Sequence, residues 1–227
     1  MNWNPLRPST RHSLLSLVGM WVAGMPLSAG VVVTPTTESW DVGVVIPDNN
    51  PVGVADTRSI FGSPARSITD LSVTLTISGG FAGDLYATLT HDSGFSVLLN
   101  RIGRSSTNVL GSDAVTLDLV LRDDAASDIH NAIPSSGAVT GFFQPDARTE
   151  SPLSVLDTSP RSAFLDSFHG LDANGRWTLF VADLSGADEA TLDSWGLAIS
   201  GIIPEPSTSL LILVAAIPWL RRQRSMI

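Results

Sequence analysis

Apolar and polar side chains alternate with a period of two through most of the middle of the chain. Leu71, Val73, Leu75 and Ile77 share one parity, while Ser72, Thr74 and Thr76 hold the other. Leu85, Ala87 and Leu89 alternate with Tyr86, Thr88 and Thr90. Val115, Leu117, Leu119 and Leu121 alternate with Thr116, Asp118 and Arg122, and only Val120 is out of phase. Trp177, Leu179 and Val181 repeat the pattern, as do Trp195, Leu197 and Ile199. Successive residues of a strand point to opposite faces, so each run predicts a strand with one buried and one wet face. Gly79-Gly80, Gly83, Asp92-Ser93-Gly94, Asn174-Gly175 and Ser185-Gly186 separate the runs with residues that tolerate tight reversals. Asp92-Ser93-Gly94 is expected to close a hairpin. Short strands with no helix between them predict an all-β, antiparallel sandwich rather than an α/β sheet. The stretch from Asp123 to Asp166 holds Pro134, Pro145, Pro152 and Pro160. It is expected to be a long surface excursion, with one short helical turn near Ala125 to His130.

Both ends break this pattern. Arg7, Arg11 and His12 precede an apolar run from Leu14 to Leu27, and Leu27-Ser28-Ala29, with its small Ser28 and Ala29, ends it before Gly30. A cationic leader, a short apolar stretch and a small-residue exit predict a secretory signal peptide over 1–29, cut between Ala29 and Gly30. The alternative is a buried N-terminal helix. At the other end, Pro204-Glu205-Pro206 is followed by an apolar run from Leu210 to Leu220 and then by Arg221, Arg222 and Arg224. Eleven helical residues rise about 16 Å, half of a bilayer's hydrocarbon core. Pro218 removes a backbone donor inside the run, so transient insertion is expected, with the arginines held on the cytoplasmic side.

Charge sharpens once the ends are set aside. The 227 residues carry 13 arginines, no lysine and 22 acidic side chains, a formal −9. Residues 31–203 hold 21 of the acids and eight of the arginines, a formal −13. Nucleic acid is thereby excluded as an expected partner, because phosphate binding needs a dense cationic face. The absence of cysteine removes disulfides, zinc–thiolate and iron–sulfur sites, and thiol nucleophiles.

Ile203-Pro204-Glu205-Pro206-Ser207-Thr208, the short apolar helix and the arginine cluster, in that order, resemble the PEP-CTERM sorting signal of Gram-negative bacteria. The resemblance implies processing near Pro204-Glu205-Pro206 by an exosortase, a membrane-embedded transpeptidase. It also implies an exported protein, secreted or held in the cell envelope or an extracellular polysaccharide matrix. An ordinary C-terminal membrane tail is the alternative.

The body carries a second likeness. Ile68-Thr69-Asp70-Leu71-Ser72-Val73 leads to Gly83-Asp84-Leu85-Tyr86-Ala87-Thr88-Leu89, and Gly94 precedes Val97-Leu98-Leu99. Phe168-His169-Gly170 precedes Gly175-Arg176-Trp177-Thr178-Leu179-Phe180-Val181-Ala182-Asp183, and then Leu192-Asp193-Ser194-Trp195-Gly196-Leu197. These segments resemble the P-domain (P/Homo B) of proprotein convertases and kexin-like proteases. His91-Asp92-Ser93-Gly94 departs from the Ser-Pro-x-Gly turn usual in that family. The resemblance implies a jelly-roll-like sandwich without an active site, a module that stabilises or regulates a neighbouring subtilisin-like domain. No such domain is expected within these 227 residues, so any function is expected to be the sandwich's own.

The expected organisation is therefore a signal peptide over 1–29, a linker over 30–39, a P-domain-like sandwich over 40–201 and a sorting tail over 202–227. The leader and the tail would each contribute one helix. Catalysis is not expected: His91, His130 and His169 lie in the body, but no Gly-x-Ser-x-Gly elbow frames a nucleophile. His91 is expected at a hairpin surface. Calcium, which takes oxygen ligands from loops, is the one candidate ion, at the loops holding Asp84 or Asp183. Asp172-Ala173-Asn174-Gly175 begins like a calcium loop, but Trp177-Thr178-Leu179 reads as strand across it. Trp177 and Trp195 fall in phase with aliphatic residues and are expected in the core. Trp40 and Tyr86 are the expected exposed aromatics, and Phe142-Phe143 is a further candidate patch. A structural or adhesive role follows, with signal peptidase and exosortase as processing partners and exopolysaccharide as the surrounding polymer. A glycan- or peptide-binding module with structural calcium is the alternative.

Overall fold

The structure is a computed structural model and describes residues 35–203. The processing residues Ala29, Gly30, Pro204, Glu205, Pro206, Arg221, Arg222 and Arg224, and both expected terminal helices, lie outside the described residues.

Two sheets stack face to face. One holds β1 (Thr36–Ile46), β9 (Ala190–Ile202), β3 (Ser67–Gly79), β6 (Thr116–Arg122) and β7 (Ala138–Phe143), in that order. The other holds β2 (Asn50–Ile60), β8 (Gly175–Asp183), β4 (Leu85–His91) and β5 (Gly94–Asn100). Neighbouring strands are antiparallel except β6 and β7, which run parallel. The chain is an all-β sandwich. Its helical pieces, among the described residues, are three short 3-10 turns.

The alternating runs place their apolar parity between the sheets. Leu71, Val73, Leu75 and Ile77 of β3 face Leu85, Ala87 and Leu89 of β4 across a core that also contains Leu179, Val181, Leu197 and Ile199. Each Leu, Ile or Val among them, removed from water, contributes about 1.5–3 kcal/mol before conformational entropy is counted. Trp177 and Trp195 are fully buried, as expected from their phase. The Trp177 Nε1–H donates to the Ala173 carbonyl at 3.1 Å, and the Trp195 Nε1–H donates to Asp56 Oδ2 at 2.7 Å, so neither indole loses a hydrogen bond by burial.

The hairpin at Asp92-Ser93 is formed, with His91 paired to Gly94 and Asp92 in the left-handed region at φ +50°. Gly94 is required there by contact rather than by φ. A Cβ on it would lie 2.3 Å from the Phe168 ring. In β2, Gly53 sits at a bulge with φ +55°, and a Cβ there would meet the Val181 carbonyl oxygen at 2.3 Å.

Four elements depart from the sequence reading, each for a physical reason. β1 starts at Thr36, inside the stretch expected to be linker, and β2 follows it. Both are edge strands whose polar residues occupy either face, so hydrophobic alternation does not mark them. β7 lies inside the stretch expected to be an irregular excursion, and Val139 is its single fully buried residue. The expected helical turn near Ala125 to His130 is a 3-10 turn at Ile129–Asn131, begun by Asp128, whose side chain accepts from the His130 amide at 3.0 Å.

The rest of the excursion runs along the outer edge of β5. Asp146 N–H donates to the Leu98 carbonyl at 3.0 Å, Ala147 N–H to the Val97 carbonyl at 2.9 Å, and Val97 N–H to the Ala163 carbonyl at 3.1 Å. These bonds occupy edge groups that would otherwise be open to pairing with another chain.

Candidate functional site

Asp84 and Asp183, the candidate calcium residues, come together at one end of the second sheet. Asp84 ends a 3-10 turn, and its Oδ1 accepts from the Arg101 guanidinium at 2.8 Å. Asp183 ends β8, pairs in register with Leu85 and is 1% exposed. Its Oδ1 accepts from the Ser185 amide at 3.1 Å. Burial pushes the Asp84 carboxyl above the usual carboxylate range against the opposing pull of Arg101. Burial likewise raises Asp183, against the Ser185 hydrogen bond and with the help of the Asp84 and Asp48 charges. Among the described residues, no three carboxylate or imidazole groups converge as metal ligands.

A carboxyl whose folded-state pKa is raised weakens the fold while it is ionised, and the cost fades as pH falls through the carboxyl range. Asp183→Asn keeps the shape and the acceptor oxygen and removes the charge. It is expected to raise the melting temperature at pH 7 by about 2 °C. The gain should shrink as the pH is lowered towards 4. A melting temperature lowered at pH 7, or a gain that grows in acid, would refute this account of the cluster.

The histidines separate into two buried and one exposed. His91 corrects the expectation of a solvent-facing turn residue. It is 4% exposed and stacks on Trp177 at 4.0 Å with planes 5° apart. At the end of β4 its parity is the inward one, and the adjoining turn leaves room for the ring over the indole. Its Nδ1 lies 2.9 Å from the Arg176 carbonyl oxygen and its Nε2 lies 2.7 Å from that of Asp172. Both ring nitrogens thus face internal carbonyl oxygens, and neither is directed at a substrate position.

His130 is buried beside Asp146, with Nδ1 2.7 Å from Asp146 Oδ2. That is the base-and-orienter half of a hydrolytic triad. The other half is closed: Nε2 lies 2.9 Å from the Arg104 carbonyl oxygen, where a nucleophile's hydroxyl would have to be. Arg148 extends the cluster, from Asp146 at 3.3 Å to Asp128 at 2.8 Å. Arg161 adds bonds to the Asp146 and Pro145 carbonyls and to Gln144. The group ties separate turns of the excursion to one another and, through His130 and the Arg104 carbonyl, to the loop after β5; no sequence motif announced it, because its members come from separate turns. His169 is exposed beyond the Leu165–Phe168 turn.

The aromatic candidates are redistributed. Trp40 is half-buried and tilted on Trp195 at 4.5 Å. Tyr86 is half-buried, edge-on to Phe180 at 6.5 Å, and burial pushes its hydroxyl upward, with Asp146 adding to the effect. Phe142 is 62% exposed beneath the Arg122 guanidinium, whereas Phe143 packs on the core. Phe95, 40% exposed, carried no expectation.

Two concavities open on the outer face of the second sheet. One, of about 470 Å³, is apolar and lies between Tyr86 and Phe180 on the sheet and Pro152 and Leu153 on the excursion. The other, of about 600 Å³, is polar. Its floor is a row of three hydroxyls, Thr57, Thr178 and Thr90, from three adjacent strands in register. The Thr57 and Thr178 oxygens are 2.9 Å apart. Asp92 and Arg176 wall the groove, and Asn174 and Asp172 form its rim. Asp172 is already engaged by Arg66 at 3.0 Å and by Asn174 at 2.7 Å.

No known protein family matches the chain, and no curated protein matches it. Among solved structures, the complex of the Aeromonas sobria serine protease with its chaperone is similar at 12% identity and a TM-score of 0.43, over 75% of this chain and 27% of that one. The serine protease of Aeromonas sobria is similar at 15% identity and a TM-score of 0.42, with the same coverage. The chain thus spans about a quarter of the length of those proteins.

Proposed function

We propose that this chain is an exported, non-catalytic sandwich of P-domain type with a structural or adhesive role in the envelope or extracellular polysaccharide matrix of a Gram-negative bacterium. Signal peptidase and an exosortase would process its two ends. The observation that supports the non-catalytic part is the closure of both buried histidines on internal acceptors, which leaves the exposed His169 as the one free imidazole among the described residues, with no nucleophile motif to frame a partner for it. The order of Pro204-Glu205-Pro206, apolar run and Arg221, Arg222 and Arg224 supports the sorting part. The formal −13 of residues 31–203 favours a well-solvated surface suited to life outside the cell.

Mass spectrometry of the protein recovered from the polysaccharide matrix of producing cells tests the reading. The expected species begins at Gly30 and ends near Pro204-Glu205-Pro206. A species that retains Arg221 to Ile227, or a protein confined to the cytoplasm, would overturn it. The second reading, a glycan-binding module, is favoured by the hydroxyl-floored groove.

A further inference from the structure

We infer that the groove over Thr57, Thr178 and Thr90 binds a neutral polysaccharide, with Arg176 and Asp92 gripping sugar hydroxyls and Phe95 as the stacking platform. The inference rests on the matrix reading only for the source of the polymer.

The order β2–β8–β4–β5 puts Thr57, Thr178, Thr90 and Phe95 in one line across the sheet, each directly opposite the next. At about 4.8 Å per strand the line is about 14 Å long, room for a short run of sugar rings. Thr90 donates to the Thr178 carbonyl at 3.5 Å and Thr57 and Thr178 share one hydrogen bond, which leaves the three hydroxyls lone pairs to accept from sugar hydroxyls and one proton to donate. The lining contains no aliphatic side chain, which disfavours a lipid or an apolar peptide, and its volume is within the range of small-ligand sites.

Arg176 marks the groove as a place for a ligand rather than a surface of self-satisfied polar groups. Arg58, Arg66, Arg101, Arg122, Arg148 and Arg161 all pair with carboxylates. Arg104 donates to the Val109 and Pro152 carbonyls. Among the described residues, Arg176 alone keeps its guanidinium uncommitted, exposed on the same face as Thr178. Its five donors and the acceptor oxygens of Asp92 together suit vicinal hydroxyls, which need both. Phe95, opposite Thr90 and 40% exposed, stands just beyond the groove at the end of the row, an aromatic against which the apolar side of a sugar can lie. Charge selects among sugars. Arg176 and Asp92 offset each other within the groove, while the domain around them is strongly acidic and repels a polyanion.

Native gel electrophoresis of the exported protein through gels containing hydroxyethylcellulose, dextran, galactomannan or alginate is the test. At least one of the three neutral polymers is expected to retard the protein. Arg176→Ala should weaken that retardation about tenfold, the loss of one charge-assisted contact. Phe95→Ala should weaken it as well, with melting temperatures close to that of the parent. Arg122→Ala, on the other sheet, should leave it unchanged. Retardation by alginate alone, by no polymer, or equally in Arg176→Ala and the parent would overturn the inference. A negative gel beside a matrix-recovered, processed protein would remove the groove and leave the matrix reading standing.

Discussion

Trp177→Ala is expected to cost about 3–5 kcal/mol, enough to leave little folded protein at growth temperature if the parent's stability is ordinary. The indole is fully buried, lies against Phe168 at 5.2 Å and supports the His91 ring at 4.0 Å. Removing it opens a cavity, strands the Ala173 carbonyl that its N–H satisfies, and takes away the surface on which His91 stacks. Three losses fall on one site, so the cost belongs at the upper end of the large-to-small range. Trp177→Phe restores most of the volume but not the donor, and should lose about half as much. Guanidinium unfolding followed by circular dichroism measures both. A loss below about 1 kcal/mol for the alanine variant would show that the indole is not the packing centre described above.

Asp146→Ala is the second large effect, of similar size but different character. Asp146 is fully buried and faces the His130 imidazole at 2.7 Å and the Arg148 guanidinium at 3.3 Å. Breaking one member out of a buried ionic group leaves uncompensated charge inside and typically costs about 3–5 kcal/mol. The loss should be local before it is global, because the cluster joins turns of the excursion to one another rather than one sheet to the other. Hydrogen exchange should therefore rise in residues 144–163 while the amides of β3 and β9 stay protected. Asp146→Asn keeps one acceptor and should be milder. Uniform exchange across both sheets and excursion in Asp146→Ala would count against this local role of the cluster.

The sandwich was legible where burial is one-sided. β3, β4, β6, β8 and β9 each line the core with one parity of aliphatic or indole side chains, and period-two alternation records that directly. β1, β2 and β7 were not legible by the same means. They are edge strands, and Thr36, Glu38 and Asp56 sit where a central strand would need an apolar residue. The groove was legible only in fragments. Thr90 and Thr178 stood in the wet parity of their runs, but their alignment depends on register between strands about 90 residues apart in sequence. The burial of His91 follows from the same register, which sets it beside Trp177. The Asp146 cluster depends on turn geometry, for which the sequence carries no period.

β9 lies between β1 and β3, hydrogen-bonded to both along most of its length. The tail departs from the end of that strand, after Ile202. A molecule held by its tail and tugged through a bound partner would feel the load along the strand axis, across ladders whose bonds lie perpendicular to it. Both ladders must then slide together before either gives way, whereas a tether leaving an edge strand would peel one bond at a time. Held in that way, the sandwich would be a mechanically stiff link because of where β9 lies.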